Sequence, residues 1–320
     1  MQQLNTIPSN IAYRGRFAPT PSGALHFGSL IAALGSYLDA RAHQGFWHLR
    51  IEDVDPPRVV PGSIENILRT LEAFGFMWDG AVVYQSQRRA VYASAIQRLF
   101  DADQLYGCHC TRKRLKENAC IGVDGPIYRG TCRDRALAKH LNASHPNTSP
   151  PNRADNVALR VRVPTQRIQF IDLLAGHVAC DIAQECGDFV LQRADGIYTY
   201  QLAVTVDDAE LGVTHVVRGA DLLASTPRQI ILQRLLGYAT PTYLHLPVVL
   251  NSNGEKLSKQ TLATPLNTAN PLPDLLNAAA FLGLNLSDEL TSISEFWQHA
   301  PQLWQHKRLP PLRGMRLNRC

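Results

Sequence analysis

The segment from Tyr13 to Ile51 constrains the fold of this 320-residue chain more than any other segment. Its pattern predicts a strand over 13–19, a turn rich in proline and glycine, a helix over 25–42 and a second strand over Phe46–Ile51. Two strands that are joined by a helix run parallel, and a parallel sheet is covered by helices. We therefore expect an α/β fold in which this unit begins a parallel sheet.

The pattern of the remaining chain predicts an interruption of that sheet. Strands are predicted at 157–163, 168–174, 189–192, 198–206, 215–218 and 246–250, and helices at 226–237, 272–282 and 293–297. The tetrad from Thr226 to Gln229 is a candidate capping box with proline at the first helical position. We expect a nucleotide-binding domain at 11–104 and 193–250, an inserted subdomain at 105–192, and a part with the lysine loop and helices at 251–320.

Composition and charge exclude some classes of protein. The chain contains no run of 18 apolar residues, and its first ten residues lack the features of a signal peptide. We therefore expect a cytoplasmic protein without a membrane partner. The net charge of +5 permits an RNA partner, although a slightly basic protein without one would have the same charge.

The start of the first predicted helix is a candidate phosphate site, because the free amides of a helix N-terminus attract anions. His26 can donate a hydrogen bond to a phosphate oxygen, and Ser29 offers a hydroxyl group. Gly28 would let an adenine ring or a ribose lie close to the backbone. A glycine and a histidine at a helix start are weak evidence alone, because most such histidines are structural.

A pair of lysines forms a second candidate, more than two hundred residues later. Residues 251–255 favour a turn, which leaves Lys256 and Lys259 on an exposed loop. Displacement at phosphorus requires positive charge near the transferring and leaving oxygens, and two ammonium groups can supply it. The alternative is a pair of solvated lysines, which is the usual environment of this residue.

These segments resemble those of the class I aminoacyl-tRNA synthetases. The run from His26 to Ser29 is similar to their "HIGH" signature, and residues 256–260 are similar to their "KMSKS" loop, with Leu257 in place of methionine. Residues 16–23, 49–55 and 214–221 resemble the glutamyl branch in particular. The short stretch after the lysine loop, together with a cysteine cluster, resembles the glutamyl-Q tRNA(Asp) synthetases.

The resemblance implies a Rossmann-like catalytic domain, an inserted zinc-bearing subdomain, a short helical C-terminal part and no anticodon-binding domain. It also implies that a monomer activates L-glutamate with ATP and Mg²⁺, without bound tRNA. The glutamate would pass to the queuosine base at the wobble position of the anticodon stem-loop of tRNA(Asp). The alternatives are a truncated glutamyl-tRNA synthetase that charges a tRNA 3′ end, and a non-catalytic RNA-binding paralogue.

The resemblance further implies which residues form the site. Glu52 would hold the ammonium group of glutamate, and Arg16 or Arg218 would bind its side-chain carboxylate through bidentate hydrogen bonds. From position alone, Arg16 can be a surface residue and Tyr200 a core residue. His26 and Lys259 would be catalytic, and the implied ATP-binding residues are His26, Gly28, Ser29, Lys256 and Lys259. The implied glutamate-binding residues are Arg16, Phe17, Ala18, Pro19, Thr20, Glu52, Tyr200 and Arg218.

The cysteine cluster is a candidate zinc site, because zinc prefers four sulfur or nitrogen ligands. Chemistry alone favours Cys108, Cys110, Cys120 and Cys132. The family pattern instead places a tyrosine four residues before the last cysteine, which gives Cys108, Cys110, Tyr128 and Cys132. We prefer the second set and expect one structural zinc ion per chain, because a closed four-ligand site leaves no position for substrate. A group of free buried thiols is the alternative.

Overall fold

The computed structural model describes residues 12–117, 121–122, 125–134, 157–249, 264–287 and 289–312. The predicted lysine loop with Lys256 and Lys259, and also Cys120, lie outside the described residues. The strands are β1 (Arg14–Phe17), β2 (Phe46–Ile51), β3 (Val83–Tyr84), β4 (Leu105–Cys108), β5 (Ile121–Gly122), β6 (Gly125–Pro126), β7 (Ala158–Val161), β8 (Arg167–Asp172), β9 (Gly176–Asp181), β10 (Val190–Gln192), β11 (His215–Gly219) and β12 (Thr242–Leu246).

The helices alternate with these strands in the first and third quarters of the chain. They are α1 (Phe27–Ala42), α2 (Ser63–Ala73), α3 (Arg89–Asp101), α4 (Arg112–Glu117), α5 (Ile182–Glu185), α6 (Tyr200–Glu210), α7 (Thr226–Leu236), α8 (Leu272–Phe281) and α9 (Ile293–Leu303). The predicted strand–helix–strand unit is confirmed as β1, α1 and β2, with β1 and β2 paired in parallel. None of the described helices combines the length and the apolar character that crossing a membrane requires.

Two hydrogen-bonded sheets lie side by side as the two halves of what we call the central sheet. One half has the order β3-β2-β1, and the other begins with β11 and β12. The amide of Thr214 donates to the carbonyl oxygen of Arg14 over 2.9 Å, which joins β11 to β1. The chain therefore moves outward in opposite directions from the β1–β11 junction, which is the switch point of a doubly wound fold.

The sequence range 105–192 contributes to three different sheets, of which the smallest is the antiparallel pair of β5 and β6. Its strands β8 and β9 extend the central sheet beyond β12, because β8 pairs in parallel with β12 and antiparallel with β9. Its strands β10, β7 and β4 form a separate antiparallel sheet. The central sheet therefore draws strands from both sides of residue 192, where we predicted the end of the inserted subdomain.

Three local predictions were wrong. Residues 198–206 were predicted as a strand, but helix α6 begins at Tyr200, and seven consecutive residues from Leu202 to Asp208 are buried. A helix that is buried on every side lacks a polar face, so its valines and leucines resembled a buried strand. The strand predicted at 246–250 lies at Thr242–Leu246. Thr226 does not cap α7, because its hydroxyl donates to the carbonyl oxygen of Leu222.

Two apolar cores flank the switch point. The first lies among β1, β2, α1 and α2 and is closed by the C-terminal helices α8 and α9. The indole of Trp304, just after α9, donates to the buried carboxylate of Asp39 in α1 over 2.8 Å. The second core lies among α3, α6, α7 and the strands β7 to β9. The site described below takes apolar lining residues, among them Phe17, Leu25 and Val217, from the first core.

Candidate active site

A cavity of about 590 Å³ lies at the carboxyl ends of β1, β11 and β12. In open α/β sheets, ligands bind outside the carboxyl ends of the strands at the switch point. Every predicted glutamate or ATP residue in the described part of the chain lines this cavity, namely Arg16, Phe17, Ala18, Pro19, Thr20, His26, Gly28, Ser29, Glu52, Tyr200 and Arg218. The fold thus brings together residues that are up to 202 positions apart in the sequence.

The N-terminus of α1 forms one wall of the cavity. His26 is its N-cap residue, and its Nδ1 accepts a hydrogen bond from the amide of Gly28 over 3.1 Å. The hydroxyl of Ser29 accepts from the amide of His26 over 3.5 Å. Because Nδ1 is an acceptor, the proton of the neutral imidazole lies on Nε2, which makes Nε2 a donor. The helix start can therefore present both amide and imidazole donors to an anion.

A buried cluster of charges lies beneath the cavity and includes two residues whose roles we did not predict. Asp208 in α6 accepts from Nε and Nη2 of Arg16, over 3.1 and 3.3 Å. It also accepts from Nη1 of Arg50 over 2.6 Å. Nη2 of Arg50 in turn donates to Glu52 over 3.2 Å. The pair of donors Nε and Nη2 of Arg16 is therefore occupied by Asp208, which leaves Arg218 as the better candidate for binding a carboxylate of the substrate.

A neighbouring aspartate extends this cluster into α3. Asp207 accepts from the guanidinium of Arg88 over 2.5 Å, from the side-chain amide of Gln85 over 2.8 Å and from the hydroxyl of Tyr92 over 2.9 Å. These donors leave the carboxylate well satisfied although it is fully buried. The sequence contained a signal for these residues, namely two adjacent aspartates within an apolar run. Aspartates are rarely buried unless they are paired, so this pattern indicates buried partners of opposite charge.

The charges perturb the protonation of the cluster in opposite directions. Burial would raise the pKa of Asp208, but the guanidiniums of Arg16 and Arg50 outweigh it, so that the pKa lies below its ordinary value. Burial raises the pKa of Glu52 above its ordinary value, although Arg50 and Arg16 oppose the shift. Burial also raises the pKa of Tyr200, which keeps its hydroxyl protonated and able to donate.

Arg218, at the end of β11, has one unoccupied arm. Its Nε donates to Nε2 of His245 over 3.1 Å, and its Nη2 donates to the hydroxyl of Thr226 over 2.8 Å. Its Nη1 is buried and has no hydrogen-bond partner among the described residues, and Arg218 as a whole is 5% exposed. A buried guanidinium arm without a partner has a strong preference for a carboxylate or phosphate.

Several lining residues were not predicted. They belong mostly to the ends of β11 and β12 and to the turn after β11, and they are Ser22, Leu25, Ile31, Ala32, Val217, Gly219, Asp221, Leu222, Leu246, Pro247, Val248 and Val249. Gly219 and Asp221 lie within the segment 214–221 that resembles the glutamyl branch, which was the available signal. The residues from Leu246 to Val249 carried no such signal, because an apolar run indicates a buried core strand as readily as the lining of a site.

The predicted zinc ligands that are described lie together. The sulfur atoms of Cys108, Cys110 and Cys132 are within 4.8 Å of one another, and those of Cys110 and Cys132 are 3.7 Å apart. A tetrahedral zinc with Zn–S bonds of about 2.3 Å holds its sulfur ligands about 3.8 Å apart. The spacing of the three thiols therefore fits a metal ion.

The hydroxyl of Tyr128 lies beside this group. It is 3.6 Å from the sulfur of Cys108 and 3.9 Å from that of Cys110, and it accepts from the amide of Cys132 over 2.7 Å. Burial would raise the pKa of Cys132, but hydrogen bonds, led by that of Tyr128, lower it to about 7. A thiol that ionises this readily is a good metal ligand.

Comparison with known proteins agrees with this geometry. Residues 12–278 match the family of tRNA synthetases class I (E and Q), catalytic domain. A glutamyl-Q tRNA(Asp) synthetase of Chromobacterium violaceum is 50% identical over 302 residues, which are 94% of this chain and 97% of that protein. One of Aromatoleum aromaticum is 52% identical over 93% of this chain and 90% of that protein.

A solved structure has the same fold. The glutamate tRNA ligase of Elizabethkingia meningosepticum, crystallised in complex with its amino acid, superposes with a TM-score of 0.71 at 26% identity. The superposition covers 93% of this chain and 66% of that ligase, so the chain spans about two thirds of its length. The chain belongs to the glutamate and glutamine branch of the class I tRNA synthetases and, within it, to the glutamyl-Q tRNA(Asp) synthetase family.

Proposed function

We propose that this chain activates L-glutamate with ATP, without bound tRNA, and transfers the glutamate to the queuosine base at the wobble position of tRNA(Asp). The observation that carries the proposal is the cavity at the β1–β11 switch point, lined by a helix N-terminus, an arginine with an unoccupied arm and a buried carboxylate. Its volume of about 590 Å³ lies within the range that is usual for small-molecule sites.

Glutamate presents two carboxylates and one ammonium group, and the cavity offers partners of the opposite charge. The unoccupied Nη1 of Arg218 donates to a carboxylate. Glu52 accepts from the ammonium group, and this contact favours its ionised form. The hydroxyl of Tyr200 is a further donor. This set of partners discriminates against amino acids without a second carboxylate.

In the activation step, the α-carboxylate of glutamate attacks the α-phosphorus of ATP. Pyrophosphate leaves, and glutamyl-adenylate remains bound. His26 and the amides at the start of α1 hold phosphate oxygens, and Lys256 and Lys259 stabilise the charge that develops in the transition state. Mg²⁺ accompanies the phosphates of ATP and neutralises part of their charge.

In the transfer step, a hydroxyl of the cyclopentenyl ring of queuosine attacks the activated carbonyl. The hydroxyl loses its proton to solvent as the ester forms, and AMP leaves with the electron pair of the broken acyl–phosphate bond. The acyl-phosphate is already reactive, so the protein need not supply a strong base. Recognition of the anticodon stem-loop would rest on base contacts and on backbone charge.

We further propose that the cysteine group holds one structural zinc ion, with Tyr128 as the fourth ligand. The support is that the three sulfur atoms lie within 4.8 Å of one another and that the hydroxyl lies 3.6 and 3.9 Å from two of them. The ion would stabilise a part of the chain whose own apolar cluster is small. A closed site of this kind contributes folding energy rather than chemistry.

The test has two arms. Glutamate-dependent exchange of pyrophosphate into ATP should proceed without tRNA, and it should fall strongly in the variant His26→Ala. The variant His299→Ala, which changes an exposed residue of α9, is the matched control and should retain activity. Labelled glutamate should then appear on tRNA(Asp) only when queuosine is present, and the label should survive removal of the 3′-terminal adenosine.

The other outcomes identify the alternatives. An exchange reaction that strictly requires tRNA, with label lost together with the 3′-terminal adenosine, would mean a truncated glutamyl-tRNA synthetase. Absence of exchange with every amino acid would mean a non-catalytic RNA-binding paralogue. Either result would overturn the proposal.

A further inference from the structure

A chain of three buried side chains connects strand β8 to the cavity. His245 in β12 accepts from Nε of Arg218 through its Nε2, over 3.1 Å. Its Nδ1 lies 2.7 Å from a carboxylate oxygen of Asp172 at the end of β8. His245 is fully buried and Asp172 is 1% exposed, so water does not compete for these contacts.

The carboxylate of Asp172 is itself fixed by the backbone. One oxygen accepts from the amides of Leu174 and Ala175, over 3.0 and 2.8 Å. The other oxygen accepts from the amide of His245 over 3.1 Å, in addition to its contact with the imidazole. With four donors around it, the carboxylate has one orientation available, and that orientation determines the position of the imidazole.

These contacts determine the tautomer of His245. The carboxylate can only accept, so Nδ1 carries the proton, and Nε2 is left as an acceptor for Arg218. Burial lowers the pKa of His245 to about 4, although Asp172 opposes the shift, so the imidazole is neutral at physiological pH. A neutral acceptor beside a guanidinium is favourable, whereas an imidazolium there would repel it.

The result is a guanidinium with two arms held and, within the described part of the chain, a third arm without a partner. Nε is held by His245, and Nη2 is held by the hydroxyl of Thr226. The ring of Tyr243 lies against the guanidinium, with a distance of 5.5 Å from the guanidinium carbon to the ring centroid. Rotation of Arg218 would break all of these contacts, so the direction of Nη1 is fixed before substrate arrives.

We propose that Asp172 and His245 are positioning residues for glutamate binding, which hold Arg218 so that Nη1 meets a carboxylate of the substrate. This inference rests on the proposed function, because it assigns glutamate as the ligand of Arg218. It gives β8, which lies in the sequence range 105–192, a part in amino-acid recognition that acts through His245 and Arg218. Fixing the arginine in advance avoids the entropy cost of ordering a long side chain at each binding event.

The test compares Michaelis constants in tRNA-independent pyrophosphate exchange. His245→Leu removes the acceptor, and the KM for glutamate should rise about tenfold or more, while the KM for ATP stays within about twofold. His245→Gln can place an amide oxygen near the position of Nε2, and it should recover most of the lost affinity. A role in stability alone would not separate the two constants, nor would it be rescued by glutamine.

A matched control separates positioning from loss of stability. Trp304→Phe also removes a buried hydrogen bond, to Asp39 in the other core, and it should lower the Tm without changing either KM. If His245→Leu does not fold, Thr226→Val provides a second test, because it removes the nearer of the two acceptors for Nη2, leaves the carbonyl oxygen of Leu222 at 3.4 Å, and preserves the side-chain shape. It should also raise the KM for glutamate selectively.

The outcomes distinguish this inference from the proposed function. If wild-type protein exchanges pyrophosphate and both variants keep its KM for glutamate, the positioning role is refuted and the proposed function stands. A parallel rise in both Michaelis constants would refute it as well. If wild-type protein shows no glutamate-dependent exchange, the proposed function fails, and the positioning role fails with it.

Discussion

Replacement of Asp208 by asparagine tests the buried charge cluster most directly. Asp208 is 7% exposed, and its carboxylate accepts three hydrogen bonds, two from Arg16 and one from Arg50. Asparagine keeps the shape of the side chain but removes its charge and turns one acceptor into a donor. Two buried guanidiniums then lose an anion that they share.

The expected loss of stability follows from the burial. Removal of one partner of a buried ion pair costs about 3–5 kcal/mol, because it leaves an uncompensated charge in the interior. For 320 residues, the unfolding entropy is about 0.7 kcal/mol per degree. A loss of about 4 kcal/mol therefore lowers the Tm by about 6 °C at neutral pH.

The effect should depend on pH with a definite sign. The pKa of Asp208 is lowered in the folded protein, so its stabilisation is fully present above the unfolded pKa of about 3.9 and is lost as the pH falls through the lower folded value. Wild-type protein should therefore lose this contribution below about pH 4. The difference in Tm between wild-type protein and Asp208→Asn should shrink over the same interval.

Differential scanning calorimetry at a series of pH values provides the measurement. Asp195→Asn is the matched control, because Asp195 forms an ion pair of 2.5 Å with Arg193 at the surface. An exposed pair contributes little, so this change should shift the Tm by about 1 °C or less. If the two variants had equal Tm values at neutral pH, the cluster would not depend on Asp208, and the reasoning would be wrong.

Three further predictions concern other parts of the molecule. Glutamate binding should release protons in the pH range of the raised pKa of Glu52 and should tighten as the pH rises through it, because the ammonium group lowers that pKa. Calorimetry in two buffers over a series of pH values measures the release, which Glu52→Gln should abolish. Tyr128→Phe should weaken zinc binding by about tenfold or more, as measured by the metal retained against a chelator, whereas Cys120→Ser should leave it unchanged. Gly75→Ala should lower the free energy of unfolding by about 2–4 kcal/mol and the Tm by about 3–6 °C. The reason is that Gly75 has a φ of +76° and that an added Cβ would lie 2.6 Å from the indole nitrogen of Trp297. An unchanged Tm would refute this packing.

The local pattern was sufficient to predict the strand–helix–strand unit at the start of the chain. β1, α1 and β2 each contain their own periodic signal, and the cap of α1 uses residues next to it, His26 and Ser29. The family resemblance then identified residues that lie together in one cavity, although their positions in space could not be obtained from spacing alone. The roles of those residues stay predictions until the exchange experiments are done.

Long-range charge pairing could not be predicted in the same way. Asp208 meets Arg16 across 192 positions, and His245 meets Asp172 across 73 positions, with no local pattern that links the partners. The error at α6 has the same origin. Its apolar residues are buried on all sides by tertiary packing, and tertiary context overrides the weak preference of valine for strands.

The charge cluster also explains how the cavity depends on the whole fold. Arg16 belongs to β1 and Arg50 to β2, in the half of the sheet that packs on the first core, whereas Asp208 belongs to α6 in the second core. The carboxylate therefore joins the two halves directly below the switch point, beside the backbone bond between Thr214 and Arg14. A substrate that contacts Glu52, which follows β2, and Arg218, in β11, would therefore connect the two halves of the sheet. Ligand binding should consequently stabilise both cores together, because the bound state requires the junction between them to be intact.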